Sequence, residues 1–561
     1  MNKSLLGCTT GLLCGVLILH AGSGRAGDLA ENSNSPAAAD LARQVDSTLA
    51  AELLVNVAAT EPVGNVSPPN VAALTDDETF LRRVSQDLVG ELPSPEEITS
   101  FVLDPSSDKR AQIVDRLLAD ARFGRNWGQY FRDVILYRRT DERVLRTGPA
   151  IVKFLAEQLS GEARWDQIAR AFITARGDVR DNGHTGLIMA QMAQAPEIAA
   201  ETARIFLGVQ IQCAQCHDHK TDRWKRQQFH ELAAFFPRIA IRAVKEGDKR
   251  VSFEVVSRDG APRRPKDGKA RGNVEHYMPD LDDPSAQGTL MQPVFFLSGE
   301  QLAVGTTDVD RRTALADWIT GKKNPWFGRA FVNRIWAELV GHGFYEPVDD
   351  MGPDRTAAAP RTLDLLTQAF VDHNYDVKWL MRTIMATQAY QQVSHSRRDD
   401  ASTPSAASCP QPLRADQIFD ALAAALAIDE PKQGPRAQAG KQRPPRNPRF
   451  EFDRAFGYDP SAERDEVSAS IPQALLMMNS PLLQRAINAK SAGAVLDKLL
   501  AQNSDDENVT TELYLRCLAR EPKPAEMAEC LSYVRSIDDR GEAFEDVLWA
   551  LINSTEFTHR K

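Results

Sequence analysis

Apolar side chains recur at three- and four-residue intervals along most of this chain, and that spacing places them on one face of a helix. Residues 80–88 show it directly after a predicted capping box at residues 75–78. A second helix start is predicted at residues 94–97, where a serine precedes a proline in the first helical position. The same spacing returns from residue 311 onward. The sequence therefore predicts a mainly α fold.

Breaks in this spacing predict two helical domains joined by a segment with a small β element. Within that segment, residues 251–255 and 294–297 are the strand candidates because they are rich in valine and phenylalanine. The predicted parts are a signal peptide at residues 1–26, a flexible lead-in at 27–74, a first helical domain at 75–240, a linker with short strands at 241–310, and a second helical domain at 311–561 with a Pro/Arg-rich loop at 429–449.

The most specific chemical motif is Cys213-Ala214-Gln215-Cys216-His217, a C-x-x-C-H sequence. This spacing is the attachment signature of c-type haem, in which two thiols form thioethers with one porphyrin. The adjoining imidazole then becomes the proximal ligand of the iron. The motif therefore predicts that Cys213 and Cys216 bind haem c and that His217 ligates its iron.

The N-terminus predicts export, which this kind of haem attachment requires. Lys3 gives a positive start, residues 5–19 form an apolar run, and residues 24–26 offer a cleavage site between small residues. We expect a periplasmic or extracellular protein with no integral membrane span after removal of the signal peptide. The net charge of −10 argues against nucleic-acid binding. Two basic stretches, residues 258–271 and 432–449, are interpreted as solvated linkers, with docking to an acidic surface as the alternative.

Several segments resemble one family arrangement. Residues 79–83 (TFLRR), 206–219 (FLGVQIQCAQCHDH) and 232–236 (LAAFF) resemble the planctomycete-type cytochrome C domain. Residues 332–336 (VNRIW), 347–350 (PVDD) and 472–475 (PQAL) resemble the C-terminal domain of no assigned activity that usually follows it. The resemblance implies an exported two-domain protein. It implies no substrate.

The motif also admits two alternatives. Zinc is one, bound by Cys213, Cys216, His219 and His230, with Asp222 orienting an imidazole. A disulfide between the two motif cysteines is the other. The sequence does not choose a sixth iron ligand, for which the candidates are His184, Met189, Met192, His219 and His230.

The second domain carries polar residues but no established catalytic motif. Asp349 and Asp350 are paired carboxylates that can serve acid–base or metal chemistry, but capping or bridging of helices is the favoured interpretation. Arg334 is interpreted in the same way, as a partner of a buried carboxylate. Cys517 and Cys530 lie on neighbouring predicted helices and are a candidate disulfide.

Two functions follow from the sequence. The first is an exported c-type haem protein for electron transfer or haem-linked redox chemistry, served by a redox partner protein. The second is an exported non-haem protein, either a binding scaffold or a metal-dependent hydrolase, that uses the Cys/His cluster as a metal site. Whether the chain is an enzyme is open at this point.

Overall fold

The fold is described from a computed structural model that covers residues 34–60, 73–137, 139, 142–145, 147–259, 274–394, 409–428, 448–462 and 470–560. The predicted signal peptide, most of both basic stretches and most of the Pro/Arg-rich loop lie outside these residues. Among the described residues, the helices are too short or too polar to cross a bilayer.

The chain is mainly helical, as the apolar spacing predicts. The helices of the first part are α1 Asn34–Thr60, α2 Asp77–Val89, α3 Pro95–Leu103, α4 Lys109–Ala119, α5 Ala121–Leu136, α6 Glu142–Leu145, α7 Gly148–Ser160, α8 Trp165–Ile173, α9 Gly186–Ala190, α10 Ala195–Thr202 and α11 Arg226–Ala233. Short 3₁₀ helices cover Gly183–Thr185 and Gln212–Gln215, and a π-helical turn covers Ala203–Leu207.

Further helices follow the central β segment. They are α12 Asp308–Thr320, α13 Pro325–Val340, α14 Pro360–Asp372, α15 Val377–Ala386, α16 Gln388–Gln391, α17 Ala415–Ala425, α18 Pro448–Phe456, α19 Ile471–Asn479, α20 Pro481–Ile487, α21 Val495–Gln502, α22 Asp506–Leu518, α23 Pro524–Ser536, α24 Arg540–Ile552 and α25 Thr555–Thr558.

The strands form only small antiparallel sheets in the described part of the chain. They are β1 Gly177–Asp178, β2 Ile239–Glu246, β3 Lys249–Ser257, β4 Tyr277–Met278, β5 Thr289–Leu290, β6 Gln411–Pro412 and β7 His559–Arg560. Strands β2 and β3 form a hairpin in which Ile239 pairs with Ser257, and β1 pairs on the far side of β3.

Two local predictions need correction. Helix α2 is capped by Asp76, which accepts the Thr79 N–H at 2.7 Å, so the predicted capping box lies one residue too early. Residues 294–297 do not form a strand, because Val294 makes one isolated bridge with Gln301 and the chain then turns. The predicted strand at residues 251–255 does form, within β3.

Two hydrophobic clusters organise the helices. The first takes buried residues from α1 through α16, and the second mainly from α17 through α25. Stacked rings tie the first cluster together across a long sequence distance. The Trp165 ring on α8 lies 4.4 Å from the Phe331 ring on α13, which lies 5.2 Å from Phe370 on α14. Helices on both sides of the central β segment therefore share one core.

Candidate functional site

The C-x-x-C-H motif lies on the surface, in a short loop between α10 and α11. The π-helical turn after α10 ends at Gly208, whose positive φ of 64° turns the chain in the left-handed region that glycine favours. Cys213 lies in the following 3₁₀ helix and Cys216 directly after it. Both are exposed free thiols, and His217 is also exposed. The three motif side chains are thus reachable from solvent.

The ring of His217 is oriented by a hydrogen bond to the neighbouring backbone. Its Nδ1 lies 2.7 Å from the carbonyl oxygen of Asp218, so Nδ1 carries the proton and donates it. A neutral imidazole bonded in this way leaves Nε2 unprotonated and available as a donor to a metal. The Asp218 side chain accepts from the Arg226 N–H at 3.0 Å and from the Lys225 ammonium at 3.0 Å. These bonds hold the pKa of Asp218 below its ordinary value.

Two histidines, the buried His230 and the half-buried His276, lie next to the motif. His230 Nε2 donates to the Gln215 carbonyl oxygen at 3.0 Å, and its Nδ1 lies 2.8 Å from His276 Nε2. Burial lowers the pKa of His230, and burial lowers the pKa of His276 to about 4. Both rings are therefore neutral at neutral pH. Both ring nitrogens of His230 are already bonded to protein atoms.

The structure does not bring the alternative zinc set together. His230 is buried beneath the backbone of Gln215, whereas Cys213 and Cys216 are exposed. Asp222 accepts the Arg223 N–H at 2.7 Å. Within the described ranges, no group of three or more His, Cys, Asp and Glu side chains is arranged to hold a metal ion.

The other cysteine and sixth-ligand candidates are placed as follows. Cys517 and Cys530 are free thiols, the second lying 3.8 Å from the Tyr514 hydroxyl. Met189 and Met192 line a cavity of about 450 Å³ beside strand β2. The His184 ring packs edge-on against Phe154, and burial lowers its pKa. His219 is half-buried, and its Nδ1 has no hydrogen-bond partner among the described residues.

A buried ionic network lies beside the loop, and sequence analysis found only part of it. Asp349 is fully buried and accepts from Arg204 and from Gln210, each at 2.8 Å, while Arg334 lies 3.6 Å away. Burial alone would raise the pKa of Asp349, but the two arginines hold it below the ordinary value. Asp349 thus bridges separate elements, and Arg334 lies beside a buried carboxylate, as the favoured interpretation expected. Arg204 and Gln210 were missed, although an arginine on the apolar face of a helix is a recognisable pattern.

Two regions of the chain match known families. Residues 67–240 match the family PSCyt2, described as a protein of unknown function (DUF1549). Residues 311–448 match the family PSD1, described as a protein of unknown function (DUF1553). No curated protein and no solved structure matches the chain. The chain therefore carries, in this order, regions that match two families of unknown function, and the C-x-x-C-H motif lies in the first of them.

Proposed function

We propose that this chain is an exported c-type haem protein in which Cys213 and Cys216 form the thioethers and His217 is the proximal ligand. The observation that supports the proposal is the arrangement of the three motif side chains. Two free thiols are exposed at the attachment spacing, and the imidazole beside them donates a hydrogen bond from Nδ1 to the Asp218 carbonyl. This donor set fits covalent attachment and axial ligation of haem.

The bound haem would supply reversible one-electron chemistry at its iron. Cys213 and Cys216 would attach it, and His217 would ligate its iron with a ring oriented by the Asp218 carbonyl. All three motif side chains are exposed, so another protein can approach them from solvent. We therefore propose electron transfer or haem-linked redox chemistry with an external partner protein.

The same proposal places the protein outside the cytoplasm. Haem attachment to this motif takes place after export, and residues 1–26 have the charge, apolar run and small-residue cleavage site of a signal peptide. We propose a periplasmic or extracellular location, and Edman sequencing of the exported chain tests it through the position of the new N-terminus.

The test of the haem proposal is expression of the full chain in a bacterium with a c-type maturation system. We expect a reduced pyridine haemochrome spectrum and haem that stays on the chain after denaturation. The Cys213→Ala/Cys216→Ala variant should lose covalent haem completely. Cys530→Ala is the control, because it removes another thiol that is not in a disulfide and lies outside the motif, and it should keep wild-type haem content.

Two outcomes would overturn the proposal. Matured wild-type protein without a haemochrome band is the first. Retention of covalent haem by the Cys213→Ala/Cys216→Ala variant is the second, since it would place attachment elsewhere. Colourless protein that carries one zinc ion per chain would replace the haem proposal with the non-haem alternative, a metal-dependent hydrolase or binding scaffold.

A further inference from the structure

The loop that bears the motif is gripped at both ends by one short segment from the other family-matched region. We call residues 208–225 the cysteine loop and residues 347–355 the clamp segment. The clamp segment follows α13 and is braced internally by an ion pair between Asp350 and Arg355 and by the Arg355 N–H, which donates to the Gly352 carbonyl at 3.1 Å. It is thus an ordered element in its own right.

The first end of the cysteine loop is held through buried bonds. The Met351 N–H donates to the Gly208 carbonyl at 2.7 Å, at the point where the chain turns toward the motif. Two residues later, the Gln210 side chain donates to Asp349 at 2.8 Å. Asp349 is itself fixed by Arg204 on the π-helical turn. Buried bonds between charged groups are costly to break, because the partner is left desolvated and unpaired.

The second end is held through contacts that are more exposed. Arg223 donates to the Pro353 carbonyl at 3.1 Å and pairs with Asp354 at 2.8 Å. The Asp222 carboxylate packs on the backbone of Gly352 so closely that an added Cβ would lie 1.5 Å from Asp222 Oδ2. The Arg223–Asp354 pair is too exposed to contribute much free energy. The grip is therefore strongest at Asp349.

We propose that the clamp segment sets the conformation of the cysteine loop and that Asp349 is its positioning residue, so that the second family-matched region completes the haem site carried by the first. The purpose assigned to the clamp rests on the proposed haem function. The mechanical coupling does not, because every contact that carries it is between residues of this chain.

The test compares Asp349→Asn with Asp308→Asn in the full chain. Asp308 is the matched control, because it is also fully buried and accepts from an arginine, Arg312, at 2.6 Å, but on α12 and away from the clamp segment. Hydrogen exchange of the peptides that cover residues 208–225 is measured first in haem-free protein. We expect exchange there to accelerate by about tenfold or more in Asp349→Asn and to stay within about twofold of wild type in Asp308→Asn.

A second variant keeps the test decisive if Asp349→Asn does not fold. Gln210→Met removes only the donor to Asp349 and leaves the Arg204 pair intact, so it should fold and still accelerate exchange in the cysteine loop. Unchanged exchange in Gln210→Met, together with either unchanged exchange or no folding in Asp349→Asn, would overturn the proposal. Equal acceleration in the Asp308→Asn control would also overturn it.

The matured protein supplies the second readout. The fraction of chains with covalent haem should fall in Asp349→Asn and hold in Asp308→Asn, which a general loss of stability would not produce. If wild-type protein takes up no haem, the proposed function fails while the exchange comparison still decides the clamp. If haem is attached and exchange does not respond to Asp349→Asn or Gln210→Met, the clamp fails while the proposed function stands.

Discussion

The arginines of α2 and the C-x-x-C-H motif lie in two stretches that resemble the same family arrangement, but they contribute to the fold in opposite ways. In α2, Arg82 and Arg83 are buried, and their guanidinium groups satisfy distant backbone carbonyls. Arg82 donates to Leu518 at 3.1 Å, and Arg83 donates to Gln392 at 2.9 Å. Burial lowers the pKa of both arginines to about 10, so both stay charged at neutral pH. This stretch joins parts of the chain that are far apart in sequence.

The three motif side chains do the reverse. Cys213, Cys216 and His217 are exposed, and the His217 ring is hydrogen-bonded to its own neighbour Asp218. Removing these three side chains would cost the folded state little. The comparison teaches that the arginines can be explained by folding alone, whereas the motif needs a chemical explanation. That contrast is what makes the motif, and not the buried arginines, the place to look for function.

The largest effect on stability is expected at the buried arginine. Arg83→Leu leaves the carbonyls of Tyr390 and Gln392 without their donor in a buried environment, so the free energy of unfolding should fall by about 3 kcal/mol. Urea unfolding measures it. Arg242→Leu is the control, since its ion pair with Glu254 is exposed, and it should change the free energy by less than about 0.5 kcal/mol. If Arg83→Leu and Arg242→Leu lowered the free energy of unfolding by similar amounts, the buried arginine would not matter more to folding than an exposed one, and the comparison would fail.

A smaller effect is expected where the clamp segment meets the cysteine loop. Gly352→Ala forces the Asp222 carboxylate to move, at a cost of about 1–2 kcal/mol in the free energy of unfolding. In an Asp222→Ala background the same substitution should cost less than about 0.5 kcal/mol, because the obstacle is gone. Urea titration of the four proteins measures the coupling. If Gly352→Ala cost the same in both backgrounds, the Asp222 carboxylate would not be what keeps residue 352 a glycine.

The sequence predicted what is encoded locally. The helix start predicted at residues 94–97 forms, with Ser94 as the cap of α3 and Pro95 as its first residue, because it depends on a few adjacent residues. The motif was found for the same reason. Even the bond that orients the His217 ring comes from the next residue. Local chemistry of this kind needs no knowledge of the tertiary fold.

The missed features are long-range. Arg204 and Asp349 are 145 residues apart, so no local pattern pairs them, and Asp349 as a support of the motif became visible only in the structure. Arg82 and Arg83 are easily taken for the polar face of an amphipathic helix, yet tertiary packing buries both. The composition of residues 294–297 predicts a strand, but no strand among the described residues extends their single bridge.

A pH-dependent effect of under about 1 kcal/mol is expected among the C-terminal helices. Hydrogen bonds from Arg520 lower the pKa of Glu526 to about 2, from an ordinary value of 4.5. The unfolded chain therefore binds more protons than the folded chain between these values, and the stabilisation present above pH 4.5 is lost as the pH falls toward 2. Glu526→Gln should flatten this part of the curve, measured by urea unfolding at about pH 6 and about pH 3. Parallel curves for both proteins would contradict the assignment.

The smallest effect is expected at the motif itself. In haem-free protein, Cys213→Ala/Cys216→Ala should change the free energy of unfolding by less than about 0.5 kcal/mol, because both thiols are exposed. Cys517→Ala is the matched comparison, since that thiol is fully buried against the second hydrophobic cluster, and it should cost about 1–2 kcal/mol. A cost for the exposed pair equal to that of Cys517→Ala would mean that the motif thiols belong to the fold. Both the motif and the buried arginines would then be explained by folding. Exposure of the motif would no longer argue for a chemical function.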